Sequence, residues 1–509
     1  MTGPAAPAAL RMGTPAARWV LLTTVLGSGL VLLDGTVVNV ALERIGTELG
    51  AGFAGLQWTV NAYTLALASL ILLGGSLGDH LGRRRVFVIG VVWFALASLL
   101  CGLAPNLELL IAGRALQGVG GALLTPGSLA LISASFHGAD RAAAVGAWSG
   151  LGGIAGAIGP FVGGWLVEWS WRAVFLVNLP LAAVVVAVAL KHVPETRDRD
   201  AAPGLDLPGT VLAVAALGAL TWSLTALGGE GASVVPLVVL AVGVAALAAF
   251  VVVERRSPHP LVPPLLFADR TFTAANATTL LVYGALGVVF LLLVLQLQVV
   301  AGFSPLVAGT ALLPVTAVML AFSARAGALA QRVGPRLPMT AGPLLSAVAL
   351  LLLRRIGPGA SWVVDVLPAA LVFGAGLTLT VAPLTATVLA SAPDRYAGSA
   401  SGVNNAVARA AGLLAVAVVP GLAGIAGADY TDPAAFDAGF DTAMLISAGL
   451  LAAAAVVTFV LVRTPRPDPV DGTADGTAGS GARADRVPVE RFHHCGIGAP
   501  PAHPVDARR

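Results

Sequence analysis

Apolar runs long enough to cross a bilayer recur along almost the whole chain, separated by short charged loops. Nothing constrains the fold more. A crossing takes about 20 apolar residues in a helix, and backbone facing lipid must satisfy its own hydrogen bonds. Such runs fall at 17–42, 57–77, 86–104, 107–135, 141–167, 172–190, 208–228, 232–253, 272–300, 305–329, 338–356, 362–391, 397–424 and 440–463. About fourteen crossings follow at that length, so an all-α polytopic membrane protein is expected, with both termini on one side. Of the 509 residues only 11% are charged, against roughly 25% in soluble domains. The run after Arg11 and Arg18 continues past Val31 without a small-residue cleavage site, so it reads as the first crossing and not as a signal peptide.

The basic residues set the orientation. Arg11, Arg18, Arg83, Arg84, Arg85, Arg141, Lys191, Arg197, Arg199, Arg255, Arg256, Arg270, Arg332, Arg336, Arg395, Arg463 and Arg466 fall in one set of loops. Arg44, Arg172, Arg354 and Arg355 fall in the other. The positive-inside rule puts the first set, and both termini, in the cytoplasm and the loop bearing Asp429, Asp432, Asp437 and Asp441 outside. A cell-membrane protein whose surroundings are the lipid bilayer is expected. Nucleic acid is not an expected partner, since the basic loops lack interleaved aromatics. Cys101 and Cys495 provide neither a disulfide framework nor a metal spacing. The polar segment 464–509 is expected to be a disordered cytoplasmic tail, whose His493, His494 and Cys495 are not expected to hold a metal.

The stretch GGSLGDHLGRRRV at 74–86 returns later in the chain. Gly327, Leu329, Gln331, Gly334 and Arg336 match Gly75, Leu77, Asp79, Gly82 and Arg84 at a constant offset. The segment from Gly118 to Pro126 likewise resembles Gly374 to Pro383. A duplicated chain follows: a tail at 1–16, a six-helix bundle at 17–190, a connector at 191–271 carrying an inserted helix pair (208–228 and 232–253), and a second six-helix bundle at 272–463. Such paired halves are a common transporter plan.

Four features within the spans could carry chemistry. In the 74–86 loop, Gly75 and Gly82 allow close turns, while Asp79, Arg83 and Arg84, beside Leu77, can bond helix ends and clasp the two halves together. Asp34 stands among apolar residues of the first span, where few neighbours could stabilise its charge, so it is suited to take up and release a proton. Arg114 in the fourth span cannot lose its charge and could hold such a carboxylate until a proton replaces it. In the fifth span Gly156, Gly159, Gly163 and Gly164 permit close helix packing, and Pro160 removes a backbone hydrogen bond, so together they form a pivot.

These residues carry a family resemblance. The 74–86 loop resembles the signature between spans two and three of the major facilitator superfamily, RALQG at 114–118 its fourth-span motif, and GPFVGG at 159–164 the fifth-span motif of its antiporters. The segments DGTVVN at 34–39, QWTVNAYTL at 57–65 and WRAVFLVNLP at 171–180 further resemble its fourteen-span drug:proton antiporter family. The resemblance covers about 17–463. It implies the major facilitator fold, two six-helix bundles plus two inserted central helices, and export of small organic compounds in exchange for protons. It makes Asp34 and Arg114 coupling residues and the fifth-span glycines conformational ones.

Span thirteen departs from the family pattern, with Ala410 where Gln is common beside Arg409. No acidic residue lies deep in the second-half spans, which argues against a polycationic substrate. Asn39, Trp58, Asn61, Tyr63, Gln117, Asn276, Gln296, Asn404 and Arg409 are the candidate pocket residues. The expected protein is a non-enzymatic exporter of a hydrophobic or amphiphilic compound, working as a monomer without a cofactor on the proton gradient. A small-metabolite importer or facilitator and a membrane sensor remain alternatives.

Overall fold

The computed structural model describes residues 10–197, 204–229, 233–258, 260–393, 396–427 and 429–462. Fourteen long helices run through them. The first six are α1 (Pro15–Leu49), α2 (Phe53–Leu81), α3 (Arg83–Gly102), α4 (Leu107–Ser135), α5 (Gly138–Trp169) and α6 (Ala173–His192). Then come α7 (Leu207–Gly229) and α8 (Val234–Arg256). The last six are α9 (Arg270–Val300), α10 (Pro305–Val333), α11 (Arg336–Leu353), α12 (Trp362–Ala390), α13 (Ala397–Leu422) and α14 (Pro433–Leu461). Thirteen of them are long and apolar enough to cross a membrane. The other, α5, is 32 residues long and packs along α1. The described residues contain no strand, only a single bridge between Leu10 and Phe136.

Several helices outrun their apolar stretches. The first was expected to end at 42, yet α1 continues to Leu49 through Glu43, Arg44 and Glu48. At about 1.5 Å per residue its 35 residues exceed the roughly 30 Å hydrocarbon core, so its polar ends reach water and remain helical. Caps fix the true ends. The Thr14 hydroxyl accepts from the amide of Ala17 ahead of Pro15, and Gly50 ends α1 at φ 62°. The last helix begins seven residues before the expected 440, because Asp432 caps Pro433 at its start.

Helices α1–α6 pack on one another and α9–α14 do the same, while α7 and α8 pair together. Only α7 of that pair enters the seam between the halves, lying against α2 and α13. The halves meet where α2 faces α13, where α5 faces α10 and where α1 faces α9. Several hydrogen bonds join them toward the face opposite the arginine-rich loops. There the amide of Phe53 donates to the Gly427 carbonyl (2.9 Å), Gln57 to Val416 (2.7 Å), Gln298 to Val40 (3.1 Å) and the Tyr430 hydroxyl to Ala51 (2.8 Å). Burial pushes the Tyr430 phenol up, so it keeps its proton and goes on donating. Along α10 the packing against α5 is concentrated in its first turns, Pro305–Thr310, and thins out over Leu313–Val333 toward the arginine-rich face. The seam between α5 and α10 is thus closed on one face and open on the other.

Candidate functional site

Five helices of the first half meet at a buried polar cluster around Asp34. Asp34 and Arg114 are 0% and 1% exposed, and Arg114 donates to Oδ2 of Asp34 at 2.5 Å. The other carboxylate oxygen, Oδ1, accepts from Gln117 (2.6 Å) and from Asn178 of α6 (3.0 Å). Both amides also reach the Ser98 hydroxyl of α3, at 2.7 and 3.1 Å. Arg114 further donates to the Thr59 carbonyl (3.0 Å) and to Oε1 of Gln117 (2.7 Å), and its guanidinium lies over the Tyr63 ring at 4.3 Å.

The expectation that Asp34 has few stabilising neighbours is therefore corrected. Its own helix supplies none, but α4 and α6 supply three donors. Ser98 and Asn178 were missed as site residues. Asn178 had a signal, as a lone amide in an apolar run inside the WRAVFLVNLP segment. That segment is itself anchored, since Trp171 and Arg172 both reach Glu48 at the end of α1 (2.7 and 3.3 Å).

The 74–86 loop makes several contacts of its own. Asp79 pairs with Arg83 at 2.8 Å, one turn along. Glu195, just beyond α6, accepts from the amides of Arg84 and Arg85 (both 3.1 Å), and the Arg84 side chain donates to the Val193 carbonyl (2.9 Å). A carboxylate thus sits at the positive end of α3. Gly82 holds φ at 113°, and a Cβ there would strike Glu195. Gly75 lies against Pro126 of α4, and Leu77 is half-buried. These contacts brace α2, α3, α4 and α6 within the first half. In the second copy Gly334 holds φ at 81° like Gly82, Gln331 is exposed, and Arg336 stacks on Phe459 at 4.1 Å.

The glycines of α5 serve two neighbours. A Cβ at Gly159 would strike Thr36, and at Gly163 it would stand 3.1 Å from the backbone of Val37, both on α1. At Gly164 it would stand 2.5 Å from the Pro305 carbonyl of α10, and Gly309 of α10 faces the carbonyl of Pro160 in return. Gly156 accepts from Thr36 through its carbonyl at 3.4 Å. Backbone-to-backbone contact therefore joins α5 both to its own half and to the other.

The pocket candidates divide. Tyr63 and Gln117 belong to the Asp34 cluster. Gln296 donates to Ile356 (2.6 Å) and Asp437 (2.5 Å), and Asn276 accepts from Asn404 (3.2 Å), so these three tie the second half together and do not line a pocket. Asn39, Trp58, Asn61 and Arg409 remain near the seam. Both amide atoms of Asn61 and Oδ1 of Asn39 are buried without a hydrogen-bond partner. A separate apolar groove of about 500 Å³ lies outside the seam, between α10 and α12, lined by Val307, Leu313, Pro314 and Trp362. Among the described residues no cluster of three or more metal-ligating side chains occurs.

Residues 24–416 match the sequence pattern of the Major Facilitator Superfamily. The chain is 37% identical to the multidrug resistance protein Stp of Mycobacterium tuberculosis, over 76% of this chain and 72% of that protein. It is 35% identical to the puromycin resistance protein pur8 of Streptomyces alboniger, over 93% and 97%. It is 33% identical to a tetracenomycin C resistance and export protein of Streptomyces glaucescens, over 78% and 74%. Among solved structures, the POT family transporter PepTSo superposes with a TM-score of 0.63 at 14% identity, covering 87% of this chain and 96% of that one. A bacterial homologue of the lysosomal transporter Spinster, inward-facing and occupied, gives 0.61 at 17%, covering 89% and 98%.

Proposed function

The chain belongs to the Major Facilitator Superfamily and is a drug efflux transporter, and from that premise we propose that it exchanges its substrate for protons, with Asp34 as the proton carrier. The observation carrying this reading is the Asp34–Arg114 pair, wholly buried between α1 and α4 and closed by Gln117 and Asn178. Three donors converge on the Asp34 carboxylate. Protonation cancels that charge and leaves Arg114 without its counter-ion in a site of low dielectric, and breaking such a pair costs about 3–5 kcal/mol. The cluster must then repack, and because it joins five helices, repacking moves the whole first half.

The arginine-rich face is cytoplasmic in this reading, with both termini inside and the protein in the cell membrane as a monomer. The open side of the seam then admits substrate from the cytosol, and the contacts of Phe53, Gln57 and Tyr430 form the outer seal. Substrate binding favours rocking of the halves about α5 and α10. On the outer side substrate leaves, Asp34 takes a proton, and the protonated carrier returns. Antibiotics and other amphiphilic organic compounds are the substrate class supported by the named relatives. The test is Asp34→Asn in inverted membrane vesicles. The variant is expected at normal levels in the membrane with proton-driven drug uptake lost, and wild-type uptake would overturn the assignment.

A further inference from the structure

Arg409 is half-buried in α13, in the middle of the seam, and makes no hydrogen bond or ion pair with any described residue. Its placement follows from helical spacing. Positions 402, 409 and 416 are seven apart and share one stripe of α13. Gly402 faces Leu72, and the Val416 carbonyl accepts from Gln57, both residues of α2. Arg409 therefore lies on the α2-facing stripe between those contacts, opposite Thr64 and one turn from Asn61. Its charge acts on the hydroxyls of Tyr63 from α2 and Tyr283 from α9, so it looks into the space where the two halves meet.

A guanidinium keeps its charge at any physiological pH, and charges at membrane depth pair with one another or mark a ligand path. Asp34 is not its partner, because Arg114, Gln117 and Asn178 already fill that carboxylate. On the α1 and α2 side of the seam two amides hold buried atoms without protein partners: both amide atoms of Asn61 and Oδ1 of Asn39. Tyr283 of α9 packs beside Gly412, one turn from Arg409, while the Tyr63 ring lies under Arg114. Fixed positive charge, loose amides and aromatic surface suit an aromatic compound bearing a carboxylate or similarly acidic group.

We infer that the transported compound presents an anionic group to Arg409, its remaining polar atoms facing Asn39 and Asn61. The inference rests on the efflux reading for what the seam does. Its consequence is energetic: an anion leaving while a proton enters adds the membrane potential to the pH gradient as a driving force, more strongly than for a neutral compound.

The test compares a fluorescent diethylaminocoumarin carboxylic acid with its neutral ethyl ester, each titrated against purified full-length protein in lipid nanodiscs. Wild type should bind the acid about tenfold more tightly or better, the value of a charge-assisted hydrogen bond. Arg409→Gln should lose that preference by weakening the acid, with the ester within about twofold, while Arg409→Lys keeps part of it because a lysine retains charge without the planar fork. Equal binding of acid and ester, no binding of the acid, or an undiminished preference in Arg409→Gln would each overturn the proposal. If the Gln variant does not fold, the wild-type ratio and the Lys variant still decide. Failure of the efflux reading would look different: the acid would bind preferentially, yet inverted vesicles would not accumulate it on a proton gradient.

Discussion

At the scale of single residues, a charge inside an apolar span is expensive enough to announce itself, which is why Asp34 and Arg114 are legible in the sequence alone. Ser98 and Asn178 are not, because small polar side chains sit in spans for many reasons and only packing reveals which share an oxygen. Asn178 gives a direct test. Replacing it with Ala removes one of two donors to Oδ1 of Asp34 and one of two to Ser98. A hydrogen bond to a buried charge contributes about 1.5–3 kcal/mol. Asn178→Ala should therefore cut proton-driven uptake in inverted vesicles by about tenfold or more at unchanged protein level. An uptake rate matching wild type would show that Asn178 fills space and does not hold the carboxylate.

At the scale of elements, glycine order in α5 pointed to a pivot but could not name its partners. Those lie far away in sequence, at Thr36 and Val37 of α1 and at Pro305 and Gly309 of α10. Gly309→Val should strip the outer seal, because its side chain would enter the backbone of Pro160. Uptake should fall severely, and a cysteine placed at Phe53 in the same outer seal should become more reactive to an impermeant thiol reagent; unchanged reactivity would refute a sealing role. The 74–86 loop shows a complementary limit. Its repetition was readable, but the carboxylate that grips α3 is Glu195, more than a hundred positions away and outside the motif. Glu195→Ala should lower thermal stability in detergent by about 1 kcal/mol, as loss of a helix cap does. The two copies are also unequal, since Asp79 pairs with Arg83 while Gln331 is exposed. Asp79→Asn should impair transport and Gln331→Ala should leave it near wild type, and equal effects would undo that asymmetry.

At the scale of the whole molecule, the all-helical membrane fold was readable because hydrophobic length is a local signal. The side on which the seam opens was not, because it depends on how two bundles lean and not on any one stretch of chain. Cysteine labelling tests the opening and the orientation together. Cys101 is buried against Gln117, so after Cys495→Ser the background is quiet. Gly327→Cys then places a thiol on α10 toward the arginine-rich face, where a Cβ meets no atom within 4 Å. An impermeant maleimide should label it in inverted vesicles and not in intact cells if that face is cytoplasmic. Imposing a proton gradient in the transport direction should shift the population toward the other opening and slow labelling. Labelling from outside intact cells would reverse the assigned orientation, and labelling indifferent to both gradient and drug would mean that α10 does not move against α5 during transport.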